Sequence, residues 1–268
     1  FSVFFLNRIK HETENSLAAN AQIFNFFIAS LKNKALASSQ IIANNEDFSA
    51  AVKTKDMEIL KEISESLIRE TGQDFLTVAL KKGDVLFKTN FPINSEENAL
   101  AEKIGAEALE GRPTVNIDET IAEGLSIRAA APVYSRGAII GAVITGSILN
   151  KKFVEQFKDI SGFETTILKN KKVNASSFLL AGQAVNYPQE QYIGLADFAG
   201  QEIIGVFRPI KNMDGETAAV FSITTTPGEL LRTGQSTNRF TMIIIFSIVL
   251  SLILPLYRFS VFLTGNAI

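Results

Sequence analysis

The sequence predicts an α+β fold: a long N-terminal helix carries two antiparallel-sheet modules, and a transmembrane helix flanks them on either side. Three observations predict it. A heptad seam runs through the first forty or so residues, a hairpin followed by a proline-turn-strand unit occurs twice in the same order, and apolar runs stand at both ends of the chain.

Composition narrows the function classes first. The 268 residues are 46% hydrophobic with a formal net charge of -2, so no basic field points to nucleic acid. Cysteine is absent and His11 is the single histidine, which removes disulfides, thiolate and imidazole metal sites, covalent haem and Ser-His-Asp catalysis from consideration. No P-loop, GxSxG, HExxH or paired-acid motif occurs, so no catalytic residue, cofactor or metal is expected.

The elements follow in order. FSVFFL, residues 1–6, reads as the end of a first transmembrane helix, with a secretory apolar region as its rival; the opening on Phe1 reads as a fragment or processed chain. Leu17, Ala21, Phe24, Ile28, Leu31, Ala35, Ser38 and Ile42 then alternate spacings of four and three. That seam can pair with a second subunit or pack on its own domain, and Ile23 and Phe27 widen it enough to suggest both. Asn44-Asn45 interrupts the helix, and a second amphipathic helix with Ile59, Leu60, Ile63 and Leu67 on one face runs to the stop at Thr71-Gly72. Together residues 7–70 would form a dimer stalk.

Periodicity then switches to strands. Phe75–Leu80, a turn at Lys82-Gly83-Asp84 and the strand from Val85 read as a hairpin. Residues 95–110 read as one helix, with Ser95 as cap and Gly111 as stop. GLSIRAAAPVY and AIIGAVITGSIL, joined at Ser135-Arg136-Gly137, return the chain to the sheet. A distal module at 71–150 and a smaller proximal module at 151–228 follow from the repeat. Leu80 to Val85 (LKKGDV) recurs as Leu168 to Val173 (LKNKKV), and Pro132 with Gly141–Thr145 recurs as Pro209 with Ala218–Ser222. The second copy is shorter between hairpin and final strands, leaving less material to close a cavity, so the ligand site is expected in the first. After a stalk at 229–239, Phe240 to Tyr257 carries no charge and begins a second transmembrane helix, 240–263, with 264–268 starting a cytoplasmic segment.

Arg128 interrupts an apolar strand. Alternation puts Leu125, Ile127, Ala129, Ala131 and Val133 on one side, suited to the helix, and Ser126, Arg128, Ala130 and Tyr134 on the other. A guanidinium beside a phenol, with room at Ala130, suits a cleft that receives a small carboxylate through bidentate bonds. A salt-bridged strand arginine with Glu119 or Glu123 as partner is the alternative. Lys88, with Asn90 on the same face, offers a second cation, and Arg208 with Tyr192 is the analogous pair in the second module.

Taken together, the stretch from Glu46 to Pro92, GLSIRAAAPVYSRGAIIGAVITGSILNKKFVEQFK, GFETTILKNKKVN and QYIGLADFAGQEIIGVFRPIKNMDGETAAVFSITT resemble a double Cache extracytoplasmic sensor domain. The resemblance implies two stacked PAS-like sheets on the long helix, a membrane-distal module that binds a small molecule such as an organic acid or amino acid, and a proximal module that relays the signal. It also implies a homodimer in the bacterial inner membrane with residues 7–239 periplasmic. A chemoreceptor is the output favoured, with a sensor histidine kinase or diguanylate cyclase as the alternative and a membrane-tethered structural protein as a third; any output module would follow Ile268. The sequence departs from the family at Lys88, Asn90 and Pro92, where relatives often carry an Arg-x-His-x-Pro run, and in having no tryptophan.

Overall fold

The computed structural model of the protein describes residues 2–93, 98–120, 123–179, 181–198 and 200–225. The expected span at 240–263, the stalk at 229–239 and the cap at Ser95 lie outside them. Among the described residues no helix is long and apolar enough to cross a membrane.

The first helix, α1, spans Ser2–Ala43. Its heptad seam packs on its own domain: Ala21, Phe24, Ala35 and Ile42 are buried, and Ile28 and Leu31 pack against the same core. Phe27 lies against Phe153 and Phe157 at 5.7 and 5.6 Å, while Ile23 remains 43% exposed. The region after Asn45 holds two helices where the sequence suggested one. In α2 (Glu46–Thr54), Asn45 accepts from the Phe48 amide; Lys55 ends it in the left-handed region, and Asp56 caps α3 (Met57–Thr71). Gly72 terminates α3 with a positive φ, as expected of a glycine stop. Leu60 and Leu67 are buried, but Ile59 is exposed.

Two five-stranded antiparallel sheets follow. The first comprises β1 (Phe75–Leu80), β2 (Val85–Lys88), β3 (Thr114–Thr120), β4 (Gly124–Ser135) and β5 (Ala138–Ile148) in the order β2-β1-β5-β4-β3. The second comprises β6 (Glu164–Lys169), β7 (Lys172–Ser176), β8 (Tyr192–Phe198), β9 (Gln201–Lys211) and β10 (Thr217–Thr225) in the matching order β7-β6-β10-β9-β8. The turn joining β4 to β5 places Arg136 and Gly137 both at positive φ, the geometry whose twist suits a two-residue hairpin.

The expected helix at 95–110 is instead a 3-10 turn at Ala99–Ala101 followed by α4 (Lys103–Leu109), broken at Glu102, whose backbone is extended. Gly105 lets the two pieces close up, since a β-carbon there would sit 2.2 Å from the Ala99 carbonyl oxygen. Between the sheets, α5 (Lys151–Ser161) is capped by Asn150 and stopped by Gly162.

One core joins the inner faces of both sheets to α1. Leu125, Ile127 and Ala129 of β4 meet Ile204, Val206, Phe221 and Ile223 of the second sheet, with Phe24 and Phe157 between them. Phe24 stacks on Phe221 at 3.3 Å and meets Phe157 edge-on at 5.5 Å. The outer face of the first sheet is covered by α4, which packs Ile104 and Ala108 on Phe75, Ala79, Ala130 and Ile144.

Candidate ligand-binding site

Cross-strand register sets the site. Phe75 pairs with Gly146, Gly146 with Arg128, and Arg128 with Asn116, so these four stand in one row on the outer face. The missing side chain at Gly146 admits the Phe75 ring: a β-carbon there would lie 2.7 Å from the ring and 2.0 Å from the Ile127 carbonyl oxygen. The ring in turn supports the Arg128 guanidinium, whose central carbon lies 5.9 Å from its centroid.

Arg128 is 2% exposed. Its Nη1 lies 2.9 Å from Glu102 Oε2 and its Nη2 3.9 Å from Glu123 Oε2. Lys88 Nζ, also buried, stands 3.0 Å from Glu123 Oε1. Among the described residues, two cations therefore face two carboxylates under the α4 cover. The Thr120 hydroxyl donates to Glu123, and the Glu123 amide donates to the Thr120 hydroxyl at 3.1 Å. The Nε of Arg128 has no hydrogen-bond partner among the described residues.

The two carboxylates are tuned in opposite directions. Burial pushes the Glu102 carboxyl above its ordinary range, and the nearby Arg128 only partly offsets this. Burial acts the same way on Glu123, but there the Thr120 hydroxyl, Arg128 and Lys88 together outweigh it and hold the carboxyl below the ordinary range. Glu123 is thus a fixed anion, whereas Glu102, with its side chain 34% exposed, is held less firmly.

The structure gathers only part of the residue set expected from sequence. Arg128, Lys88 and Ser126 share the outer face, Ser126 fully buried two residues before the arginine. Asn90 does not join them: it lies beyond the end of β2 at a φ of 64°, and its amide donates to the Asp74 carbonyl at 3.0 Å. Tyr134 sits six residues along the strand, about 20 Å from Arg128 at strand rise, past an irregularity in register between Val133 and Tyr134, and is 43% exposed. Of the two acidic partners considered for Arg128, Glu123 is present, and Glu119 instead pairs with Lys169 of the second sheet. Glu102, Phe75, Gly146 and Thr120 carry no signal in the sequence; the one legible signal is an arginine set between Ile127 and Ala129 in a run that is otherwise apolar to Val133.

In the second module Tyr192 pairs with Phe207 and Arg208 with Phe221. Paired residues share a face, so Tyr192 and Arg208 lie on opposite sides of that sheet and do not converge. Its outer face is filled by Leu168, Val173, Tyr187, Phe198, Phe207 and Val220. At the junction of the modules, a cavity of about 310 Å³ is lined by Glu123, Leu125, Ile148, Leu149, Asn174 and Ser176 among others, so Glu123 also walls the space between the sheets.

Residues 10–223 match the family model described as dCache_3, the double sensory domain of two-component sensor kinases. Among curated proteins, the sensor histidine kinase DpiB of Escherichia coli (strain K12) is 25% identical over 146 residues, covering 50% of this chain but only 25% of that protein. Among solved structures, the sensor domain of the V. cholerae histidine kinase DctB is similar at a TM-score of 0.56 and 14% identity, covering 81% of this chain and 98% of that one. The sensory domain of the Campylobacter jejuni chemoreceptor Tlp3, described with isoleucine bound, is similar at a TM-score of 0.53 and 15% identity, covering 85% and 98%. These structures share the fold.

Proposed function

Because this chain belongs to the family of double sensory domains of two-component sensor kinases, we propose that it is the extracytoplasmic input region of a transmembrane receptor, binding a small carboxylate in its first module. The observation that carries this reading is Arg128: buried on a strand, stacked over Phe75, and with an Nε that has no hydrogen-bond partner among the described residues. A buried guanidinium in that condition suits a planar anion. The second module, whose outer face is packed with apolar side chains, acts as relay rather than receptor.

The relatives favour a histidine kinase as output, since both the family description and DpiB are sensor kinases. The chemoreceptor favoured by the sequence is the second reading, on the strength of the shared fold with Tlp3. Either output would follow residue 268, with residues 7–239 periplasmic, segments 1–6 and 240–263 in the inner membrane, and two copies side by side. Signalling needs differential affinity for two conformations; a ratio of about 10⁴ swings a population from 1:99 to 99:1.

A thermal-shift screen of the 268-residue chain in mild detergent against organic acids and amino acids tests the reading. An acid that raises the melting temperature of wild type should lose that effect with Arg128→Ala. Equal stabilisation of the variant refutes the anchor.

A further inference from the structure

The carboxylate of Glu102 occupies a place on Arg128 that a ligand carboxylate would need. We infer that Glu102 is a tethered stand-in for the ligand, exchanged one for one by a molecule bearing a single carboxylate, and that its release loosens the contact between the two modules. This inference rests on the reading of Arg128 as ligand anchor and adds the charge class of the ligand and the residue that transmits its arrival.

Three observations support it. The first is charge balance. Among the described residues, Lys88 and Arg128 face Glu102 and Glu123, so swapping Glu102 for a monocarboxylate keeps two positive against two negative charges there, whereas a dicarboxylate would add a surplus anion under the cover, where unpaired charge is costly. The second is how differently the two acids are held. Glu123 is 1% exposed and tied to Lys88, Arg128 and Thr120, while Glu102 is 34% exposed and rests on Arg128 Nη1. Glu102 also stands at the backbone break between the 3-10 turn and α4 and makes no side-chain cap on the helix, so its carboxylate is free to leave without unmaking either element.

The third is what lies next to it. Lys103 pairs with Asp214, at 2.5 Å, in the turn between β9 and β10 of the second sheet. In the same turn Met213 packs against the cluster of Phe75, Ile104, Ala130 and Ile144 beneath α4. A departure of Glu102 therefore acts on the first residue of α4, the one that reaches the proximal module. The exposed ion pair contributes little by itself; the apolar contact of Met213 carries the mechanical connection.

Chemical rescue tests this without knowledge of the native ligand. Glu102→Ala removes a methylene and the carboxylate, a fragment matched by acetate. Melting of the full chain in mild detergent is followed against sodium acetate, with sodium chloride and sodium malonate at equal ionic strength. Acetate should stabilise Glu102→Ala at concentrations at least about tenfold lower than it stabilises wild type, because in wild type it competes with a tethered group at high effective concentration. Malonate should do less than acetate, and the Glu102→Ala/Arg128→Gln double variant should respond to acetate no more than to chloride. Hydrogen exchange in residues 209–217 should rise when acetate is added to wild type. Acetate acting on Glu102→Ala no better than chloride, or on both proteins alike, overturns the exchange. Equal or stronger stabilisation by malonate overturns the charge rule, and unchanged exchange at 209–217 overturns the transmission. If Glu102→Ala is rescued but the double variant is rescued equally, Arg128 is not the anchor and the functional reading fails with it.

Discussion

Replacing Glu123 by glutamine probes the electrostatic core of the site with almost no change in volume. Its carboxylate is 1% exposed and stands 3.0 Å from Lys88 and 3.9 Å from Arg128, themselves 4% and 3% exposed. Among the described residues, the substitution leaves two buried cations against Glu102. Removing one partner of a buried ion pair costs about 3–5 kcal/mol, and each kcal/mol lowers the melting temperature by about 2–4 °C in a domain of 150–250 residues. A fall of roughly 6–20 °C follows. Circular dichroism melting at neutral pH measures it. The companion variant Lys88→Met/Glu123→Gln removes one cation along with the anion and should recover most of the loss, since Arg128 and Glu102 then balance. A Glu123→Gln protein that melts within about 2 °C of wild type would refute the claim that these charges depend on one another.

Three further perturbations follow from the same geometry. Gly146→Ala forces a β-carbon to 2.0 Å from the Ile127 carbonyl oxygen and 2.7 Å from the Phe75 ring, and should cost about 1–3 kcal/mol in chemical denaturation; a neutral result would show that Phe75 does not lie over this strand. Phe24→Ala removes a buried ring stacked on Phe221 and edge-on to Phe157, and should cost about 3–5 kcal/mol, with a loss below about 1 kcal/mol contradicting the shared core. For pH, Glu102 faces Arg128, Glu123 and Lys88, and burial raises its carboxyl above 4.5. The native state then holds that proton more tightly than the unfolded chain, so stability falls as pH rises through the folded pKa. Glu123, held below 4.5, contributes the opposite way: its stabilisation is full above that value and lost as pH falls. The stability of wild type relative to Glu102→Gln should therefore decline as pH rises above 4.5 and then level off; a difference independent of pH would show that Glu102 titrates as it does in water.

What was legible in the sequence was what depends on neighbours along the chain. Alternation in Leu125 to Val133 assigned the inner face of β4 to the helix, and the residues there do pack on Ala21, Phe24 and Ile42. The duplicated order of hairpin and final strands reappears as two sheets of the same strand order. Contacts that depend on distant partners were not legible. β3, reading TVNIDET, is an edge strand with only Val115 and Ile117 apolar, too weak a pattern to stand out. Glu102 falls inside the single helix expected at 95–110, yet it sits at an extended break on Arg128, a residue of another element. Tyr134 was grouped with Arg128 because alternation was extended through an irregularity in register that the sequence does not mark. Tyr192 and Arg208 form a pair only by analogy with the first module, whereas cross-strand register sets them on opposite faces.

The place of β10 restricts how motion can leave this molecule. As the final described strand it lies between β6 and β9, bonded along both edges, so it has no freedom to slip lengthwise by itself. Under the function proposed above, a displacement that reaches residue 225 would be shared with the strands bonded to β10 and with α1, which packs on the same core, so the stiffness of that slab would set how faithfully a small event near Arg128 is delivered.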